Sequence, residues 1–423
     1  MEKPLTQHAS PQPMDLRQYE AAGGYQALRK ALTMSPTDIQ AMVKKAEVKG
    51  RGGGGFSAGL KWSFMPMGPD APRPKYLCVN ADEMEPGTFK DRLLLERTPH
   101  AMVESALVTA LAIEASEVYI FLRAEYTLAA ARLRAAIAQA ADAGYCDGPV
   151  MGKGPRVNVR LHTSAGRYMC GEETGLINAL EGKRATPRAK PPHPVTVGLW
   201  GKPTVVNNVE TLCCVPHIVL HGAEWFHSLS RAADSGTKLY GVSGPVKRPG
   251  LWELPMGTPL GEILGEHAGG MLDGRRLRAV IPGGASTGML LPDQMDVAMD
   301  FTNVARAGTR LGTGTMIVID DRTCMVGLML NLQRFFAVQS CGWCTPCREG
   351  LPWLAKVLED MEAGLGRPQD MEILDMHVRH IRMGNTFCAL APGAMEPLEA
   401  ALKHFRQDFI AHIDQKRCPW RKQ

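Results

Sequence analysis

Residues 76–162 constrain the fold most, because strand-like and helix-like patterns alternate along them. Residues 76–80 form a short apolar run of strand type. Over residues 99–115 the positions of Val103, Leu107, Ala110, Leu111 and Ile113 repeat at roughly 3.6 residues, the period of a helix. Residues 117–122 read as a second strand, 125–143 as an alanine-rich helix and 156–161 as a third strand. Strands separated by helices of this length join through right-handed crossovers into a mainly parallel sheet. Ligands of such sheets bind beyond the carboxyl ends of the strands.

Ahead of the first strand, six glycines crowd residues 50–59. Without Cβ atoms the backbone there can take positive φ and lie against a ligand, and successive bare N–H groups make anion-binding hollows. Arg51 and Lys61 bracket the run with positive charge, and Phe56, Trp62 and Phe64 add flat surfaces. The combination suits a phosphate and a planar ring, or a plain glycine hinge. Gly50, Gly52 and Gly55 satisfy G-x-G-x-x-G, but the dinucleotide fingerprint needs a strand before its loop. Residues 36–49 read instead as a helix with Ile39, Met42, Val43 and Ala46 on one face, so the ordinary fingerprint fails in its context.

Two polar segments follow. Asn80, Asp82, Glu83 and Glu85 set an amide and three carboxylates at the end of the first strand, either a ligand edge or a solvated acidic turn. Residues 170–175, with Gly171, Glu172 and Glu173, open a short helix, and Lys190 and His193 flank a stiff pair of prolines. Asn207, Asn208 and Thr211 begin another helix, as caps or as part of an anion site. Residues 238–320 read as a small α+β module with a hairpin at 239–254, a helix near 259–267 and strands at 277–281 and 316–319. Thereafter the chain is helical. Leu398, Leu402, Phe405, Phe409 and Ile413 stand at spacings of four, three, four and four, which predicts one amphipathic helix over 397–413.

A length of 423 residues suits two or three domains. A net charge of +5 with no basic block argues against nucleic acid. The longest apolar stretch, 101–115, is interrupted by Glu104 and Glu114, so no membrane insertion is expected. The N-terminus lacks the apolar core of a signal peptide and reads as a disordered lead-in over 1–18. Eleven cysteines in a leaderless chain argue for reduced thiols and metal ligation. Cys341, Cys344 and Cys347 stand at C-x₂-C-x₂-C spacing, and Cys388 lies further on. Three thiolates on one turn plus a remote fourth can wrap an iron–sulfur cube, with zinc or a bare thiol cluster as alternatives. Cys78, Cys146, Cys170, Cys213, Cys214, Cys324 and Cys418 lack metal spacing and read mostly as small buried hydrophobes.

With these motifs in place, residues 19–409 resemble the NADH-binding flavoprotein subunit of bacterial respiratory complex I, the NADH:quinone oxidoreductase. The resemblance rests on residues 50–62, 80–92, 168–182 continued through Lys190 and 207–212, and the four cysteines. It implies an α/β Rossmann-like flavin domain (19–235), an α+β ubiquitin-like β-grasp module (236–321) and a helical bundle of four helices with one 4Fe-4S cluster (322–423). It implies FMN surrounded by Gly52, Gly53, Lys61, Asn80, Asp82, Tyr168, Gly171, Glu172, Asn207, Asn208 and Thr211. NADH would meet Phe56, Phe64, Glu85, Glu173, Lys190 and His193, and the cluster Cys341, Cys344, Cys347 and Cys388. No catalytic acid–base group is expected, since hydride transfer is the flavin's own chemistry. The implied partners are a small 2Fe-2S thioredoxin-like subunit and a large iron–sulfur subunit, on the cytoplasmic side of the bacterial inner membrane. A diaphorase subunit of an NAD-linked hydrogenase or formate dehydrogenase is the alternative. Gly54 and His193 depart from the family, which usually has Ala and Phe there.

Overall fold

The computed structural model describes residues 2–421; Met1, Lys422 and Gln423 lie outside them. The chain divides into two compact units. The first takes in Met1–Met84, Phe89–Tyr240 and Leu251–Thr258, the second Glu85–Thr88, Gly241–Gly250 and Pro259–Gln423.

In the first unit the strands are β1 (Tyr76–Ala81), β2 (Glu117–Leu122), β3 (Gly148–Pro149), β4 (Arg156–Thr163) and β5 (Thr204–Asn208). Their spatial order is β3-β4-β2-β1-β5. β1 pairs in parallel with β2 and β5, β2 pairs in parallel with β4, and only the two-residue β3 runs antiparallel. The expected crossover helices are present as Pro99–Ile113 and Thr127–Asp142. Every residue of Pro99–Ile113 except Ala101 is buried, so this helix is enclosed on all sides rather than one. The carboxylate in its middle is satisfied there. Glu104 accepts hydrogen bonds from the Tyr19 hydroxyl (2.7 Å), Tyr25 N (2.8 Å) and Leu28 N (3.2 Å). β5 is an addition to the expected sheet: it occupies residues that read only as the approach to a helix.

The expected disordered lead-in is instead tied down. Leu5 is buried, and the backbone N–H groups of Leu5 and Thr6 donate to the Glu253 carboxylate at 3.1 and 2.8 Å. A short helix, Leu16–Ala21, starts behind an Asp15 cap.

The second sheet contains β6 (Thr237–Ser243), β7 (Gly250–Pro255), β8 (Leu277–Ile281) and β9 (Thr315–Asp320) in the order β7-β6-β9-β8. In the second unit β6 runs parallel to β9 from Gly241, and β8 runs antiparallel to β9. The helix expected near 259–267 is a short turn, Leu260–Glu262, that widens over Ile263–His267. Helix Phe301–Arg306, capped by Asp300, is a further element that the sequence pattern does not announce.

The C-terminal region has five helices among the described residues: Met325–Gln339, Thr345–Glu362, Pro368–His380, Leu390–His404 and Arg406–Gln415. The single helix expected over 397–413 is therefore two, broken at Phe405 (φ −130°, ψ 28°). A one-residue break leaves the phase of the apolar side chains intact. Leu398, Leu402, Phe409 and Ile413 are all buried, and the spacing alone could not reveal the kink. Among the described residues no helix is long and apolar enough to cross a membrane.

Candidate functional site

The parallel register of β1 and β5 sets Val79 beside Asn207 and Asn80 beside Asn208 at the carboxyl edge of the sheet. Four amide and hydroxyl groups then fix the surrounding loops. Asn80 Nδ2 donates to Gly171 O at 2.9 Å, and its Oδ1 accepts from Asp82 N at 3.2 Å. Asn207 Oδ1 accepts from the indole N–H of Trp62 at 2.8 Å. Asn208 Oδ1 accepts from Glu210 N and caps helix Val209–Cys213, while its Nδ2 donates to Asp91 at 2.6 Å. Thr211 does not cap: its hydroxyl accepts from Arg51 N at 2.8 Å and ties the glycine run to the end of β5.

The glycine run is a closed loop. Helix Pro36–Lys45 stops short of it, Lys49 and Ser57 form an antiparallel bridge, and Gly50 N donates to Phe56 O at 2.8 Å. Gly53 (φ +109°) and Gly55 (φ +66°) take left-handed conformations that favour glycine. A Cβ on Gly52 would stand 3.1 Å from Asn208 Cβ. At Gly54 a Cβ would meet nothing within 4 Å, so there is room for the alanine usual in the resembled family. Two sequence expectations fail here. Arg51 is wholly buried and its guanidinium donates to Ser235 O at 3.1 Å, so Lys61 alone brings charge to the loop. Trp62 is likewise buried, whereas Phe56 and Phe64 are 54% and 55% exposed.

The acidic edge is not a solvated turn. Asp82 is buried, accepts from the Ser164 hydroxyl at 2.8 Å, and leaves Oδ2 without a partner. Burial, partly offset by that hydrogen bond, pushes its carboxyl up to about 6. The Glu83 carboxylate accepts from the N–H groups of Lys90, Asp91 and Arg92 (2.9, 2.9 and 3.2 Å), capping helix Lys90–Arg97. Glu85 falls in the second unit, where it accepts from Ser286 N at 2.6 Å.

Glu172 and Glu173 divide their tasks. Glu172 Oε2 caps helix Glu173–Leu180 by accepting from Thr174 N and Gly175 N, both at 2.8 Å. Glu173 is clasped by Lys61, which also donates to Val206 O at 2.9 Å, and by Lys190 at 3.0 Å. Lys190 reaches Glu172 Oε1 at 3.4 Å, completing an alternating ribbon of charge. Burial raises the Glu173 carboxyl, but Lys61 and Lys190 prevail and hold it below the usual range. Tyr168 is half-buried in the turn Tyr168–Gly171, and His193 is exposed.

Sequence reasoning missed a buried charge cluster beneath these groups. Glu210 pairs with Lys90 at 2.9 Å and Lys238 at 3.2 Å, and accepts from Leu239 N at 2.9 Å. All three charged side chains are essentially without exposure. The available signal was a charge set inside apolar stretches, at Glu210 between Val209 and Leu212 and at Lys238 beside Leu239.

In the second unit Cys344 stands as the N-cap of helix Thr345–Glu362 and Cys347 in its first turn. Burial pushes the Cys347 thiol up to about 12; Ser340 opposes this, and the neighbouring thiols of Cys344, Cys388 and Cys341 add to it. Cys344, Cys388 and Cys341 are thus each near enough to Cys347 to act on its thiol. The rings of Trp343 and Phe387 lie 5.6 Å apart beside them. A donor set of thiols alone suits an iron–sulfur cluster. Likewise the unpartnered Asp82 Oδ2 and the missing Cβ at Gly52 suit a flavin at the sheet edge. Cys78, Cys146, Cys170, Cys213 and Cys214 are buried, as expected. Cys324 and Cys418 instead join Glu362 and His412 in a polar group.

Comparison with known proteins agrees with this division. Residues 43–217 match the family model described as Nuo51 FMN-binding domain, residues 239–290 an SLBB domain, and residues 327–412 the NADH-ubiquinone oxidoreductase-F iron-sulfur binding region. The chain is 54% identical over 405 residues to the NADH-quinone oxidoreductase subunit NuoF of Salmonella typhimurium, covering 96% of this chain and 91% of the relative. It is equally similar to that of Escherichia coli, and 44% identical over 399 residues to that of Mycobacterium tuberculosis, there covering 94% of this chain and 89% of the relative. A crystal structure of NAD+-reducing [NiFe]-hydrogenase superposes with a TM-score of 0.83 at 36% identity, over 96% of this chain and 68% of the other. The chain therefore belongs to the NuoF family of NADH-quinone oxidoreductase subunits, with an FMN-binding α/β domain, an SLBB domain and a helical 4Fe-4S region.

Proposed function

We propose that FMN lies against the glycine loop at the carboxyl edge of β1 and β5, held by Gly52, Gly53, Lys61, Asn80, Asp82, Tyr168, Gly171, Glu172, Asn207, Asn208 and Thr211. The observation that carries this reading is the register that sets Asn80 beside Asn208 at the sheet edge, with Gly52 of the loop so close that a Cβ there would stand 3.1 Å from Asn208 Cβ. Asp82 offers its unpartnered Oδ2 to a flavin hydroxyl or ring N–H. Phe56 and Phe64 give NADH two exposed aromatic faces, and His193 a third surface for the adenine. Lys190, already poised against Glu173, meets the dinucleotide's phosphates. Bound there, FMN would supply the conversion of a two-electron hydride from NADH into single electrons, and Cys341, Cys344, Cys347 and Cys388 would hold the iron–sulfur cluster that takes them.

The module boundaries follow as 19–235, Rossmann-like; 236–321, β-grasp; and 322–423, helical. Support comes from the parallel first sheet and the mixed second one. Within complex I the partners are a small 2Fe-2S thioredoxin-like subunit and a large iron–sulfur subunit, on the cytoplasmic side of the bacterial inner membrane. Exposed Trp343, Phe387 and Met383 around the cysteines suit such a contact. The hydrogenase likeness favours the diaphorase role as a second reading; the higher identity to the quinone-linked relatives favours the first.

Cys388→Ala tests the division. Cluster assembly should fail, while FMN and NADH still bind and a soluble dye that takes electrons from flavin is still reduced. Electron delivery to quinone should collapse. Normal quinone reduction would refute the exit route, and joint loss of FMN would show that the helical region supports the flavin site.

A further inference from the structure

We propose that Cys324, Glu362, His412 and Cys418 form a closed, structural zinc site, separate from the iron–sulfur cysteines. The four potential ligand atoms lie within 4.8 Å of one another. Cys324 Sγ is 2.8 Å from Glu362 Oε1 and 3.3 Å from His412 Nε2, and those two are 3.1 Å apart. Cys418 Sγ completes the set, within 4.8 Å of each of the other three. Tetrahedral zinc, with bonds of ~2.0–2.3 Å, sets its ligand atoms ~3.3–3.8 Å apart. Side-chain adjustments of under about 1 Å therefore convert the hydrogen-bonded set into a coordination shell.

The surroundings already orient three of the four ligands as outer-shell partners orient them in metal sites. His412 Nδ1 faces Asp408 O at 2.6 Å; donation there leaves the Nε2 lone pair turned into the cluster. Arg421 holds Glu362 Oε2 at 2.9 Å, leaving Oε1 for the ion. Gly327 N donates to Cys324 Sγ at 3.2 Å, as backbone N–H groups do to bound thiolates. Trp420 stacks on the His412 ring with a centroid distance of 5.7 Å and excludes water.

The donor chemistry selects the ion. Two thiolates and an imidazole disfavour magnesium and calcium, whereas zinc accepts sulfur, nitrogen and one carboxylate oxygen. Two thiolates and a carboxylate against one divalent ion and Arg421 leave the group electrically balanced. With four protein ligands and burial of all but Cys324, no open position remains for substrate, which makes the site structural. Distance supports the same conclusion. Cys347 and Glu362 stand near opposite ends of helix Thr345–Glu362, about 22 Å apart at the rise of an α-helix, so the ion is no relay for the cluster. It would instead pin together the start of Met325–Gln339, the end of Thr345–Glu362, helix Arg406–Gln415 and the C-terminal tail.

The test is metal analysis of the full-length protein, purified without chelators, with zinc, iron and FMN measured on one sample. About one zinc per chain is expected beside the iron of the cluster. Cys324→Ser combined with Cys418→Ser should remove that zinc and leave iron and FMN per chain unchanged. Zinc absorption spectroscopy of the wild type should show two sulfur neighbours at ~2.3 Å and two nitrogen or oxygen neighbours at ~2.0–2.1 Å. This decides the matter even if the double variant does not fold. Wild-type protein that holds no zinc and takes none up from micromolar zinc chloride would leave only a hydrogen-bonded network and overturn the proposal. So would zinc retained in full by the double variant, or a shell without sulfur.

Discussion

Glu172 and Glu173 are neighbours in sequence, but one carboxylate is engaged by backbone N–H groups and the other by two lysines. Only Glu173 is therefore free to exchange partners when a dinucleotide arrives. An adenosine 2′-phosphate brought near it meets a like charge, worth ~1–4 kcal/mol at 4 Å between the dielectrics of water and a protein surface. Lys61 and Lys190 offset part of that repulsion, so the lower end applies. Glu173→Gln should raise kcat/KM for NADPH relative to NADH by about five- to tenfold, and an unchanged ratio would remove Glu173 from the nucleotide site. His193, exposed at the end of the proline loop, gives a second residue-scale expectation. If its imidazole stacks on adenine, His193→Phe should lower KM for NADH by ~0.5–1.5 kcal/mol. kcat should stay put, because adenine is bound equally in ground and transition states. The outcome to watch for is an unaltered KM, which would mean no contact.

Among the elements, helix Val209–Cys213, the head of β6 and helix Lys90–Arg97 meet at Glu210. Burial raises its carboxyl, but Lys238, Lys90 and Arg51 prevail and hold it at about 2. A carboxylate depressed in the folded state contributes stability above its unfolded value of ~4.3, and loses that contribution as pH falls toward 2. Glu210→Gln strands two buried lysines and should cost about 3–5 kcal/mol near neutral pH. Denaturant titrations should show the gap to wild type constant above pH ~5 and closing as pH falls. A gap independent of pH would mean that the carboxylate's charge plays no part. The same elements mark how far sequence patterns reach. Runs of apolar residues reveal β1, β2 and β4 and both crossover helices, because their burial follows a local period. β5 escapes because its last residues, Asn207 and Asn208, are also the best cap signal in the segment, and five residues leave little else to read. The burial of Arg51 is illegible locally because the carbonyl and carboxylate that draw it inward come from Ser235 and Glu210, far along the chain.

At the scale of the molecule, the residues proposed to hold the flavin sit in the first unit and the cysteines proposed to hold the cluster in the second. Motif spacing makes Cys341, Cys344 and Cys347 legible as a candidate set, since they recur at every third residue. Nothing in spacing links Cys324, Glu362, His412 and Cys418, whose proximity arises only when three helices and the tail converge.

The place of β5 beside β1 has a consequence in time as well as space. β1 gains its outer neighbour only after the whole of β2, β4 and the intervening helices has been made. At ~5–20 residues per second, roughly 6–25 s separate synthesis of Asn80 from that of Asn208. A nascent chain halted at residue 203 has the glycine loop and Asn80 but lacks Asn207, Asn208 and the Thr211 that anchors the loop, and should not quench FMN fluorescence. Quenching by such a chain would show that β5 is dispensable for capture. Flavin loading is on this account a late event, timed by the arrival of one five-residue strand on the ribosome.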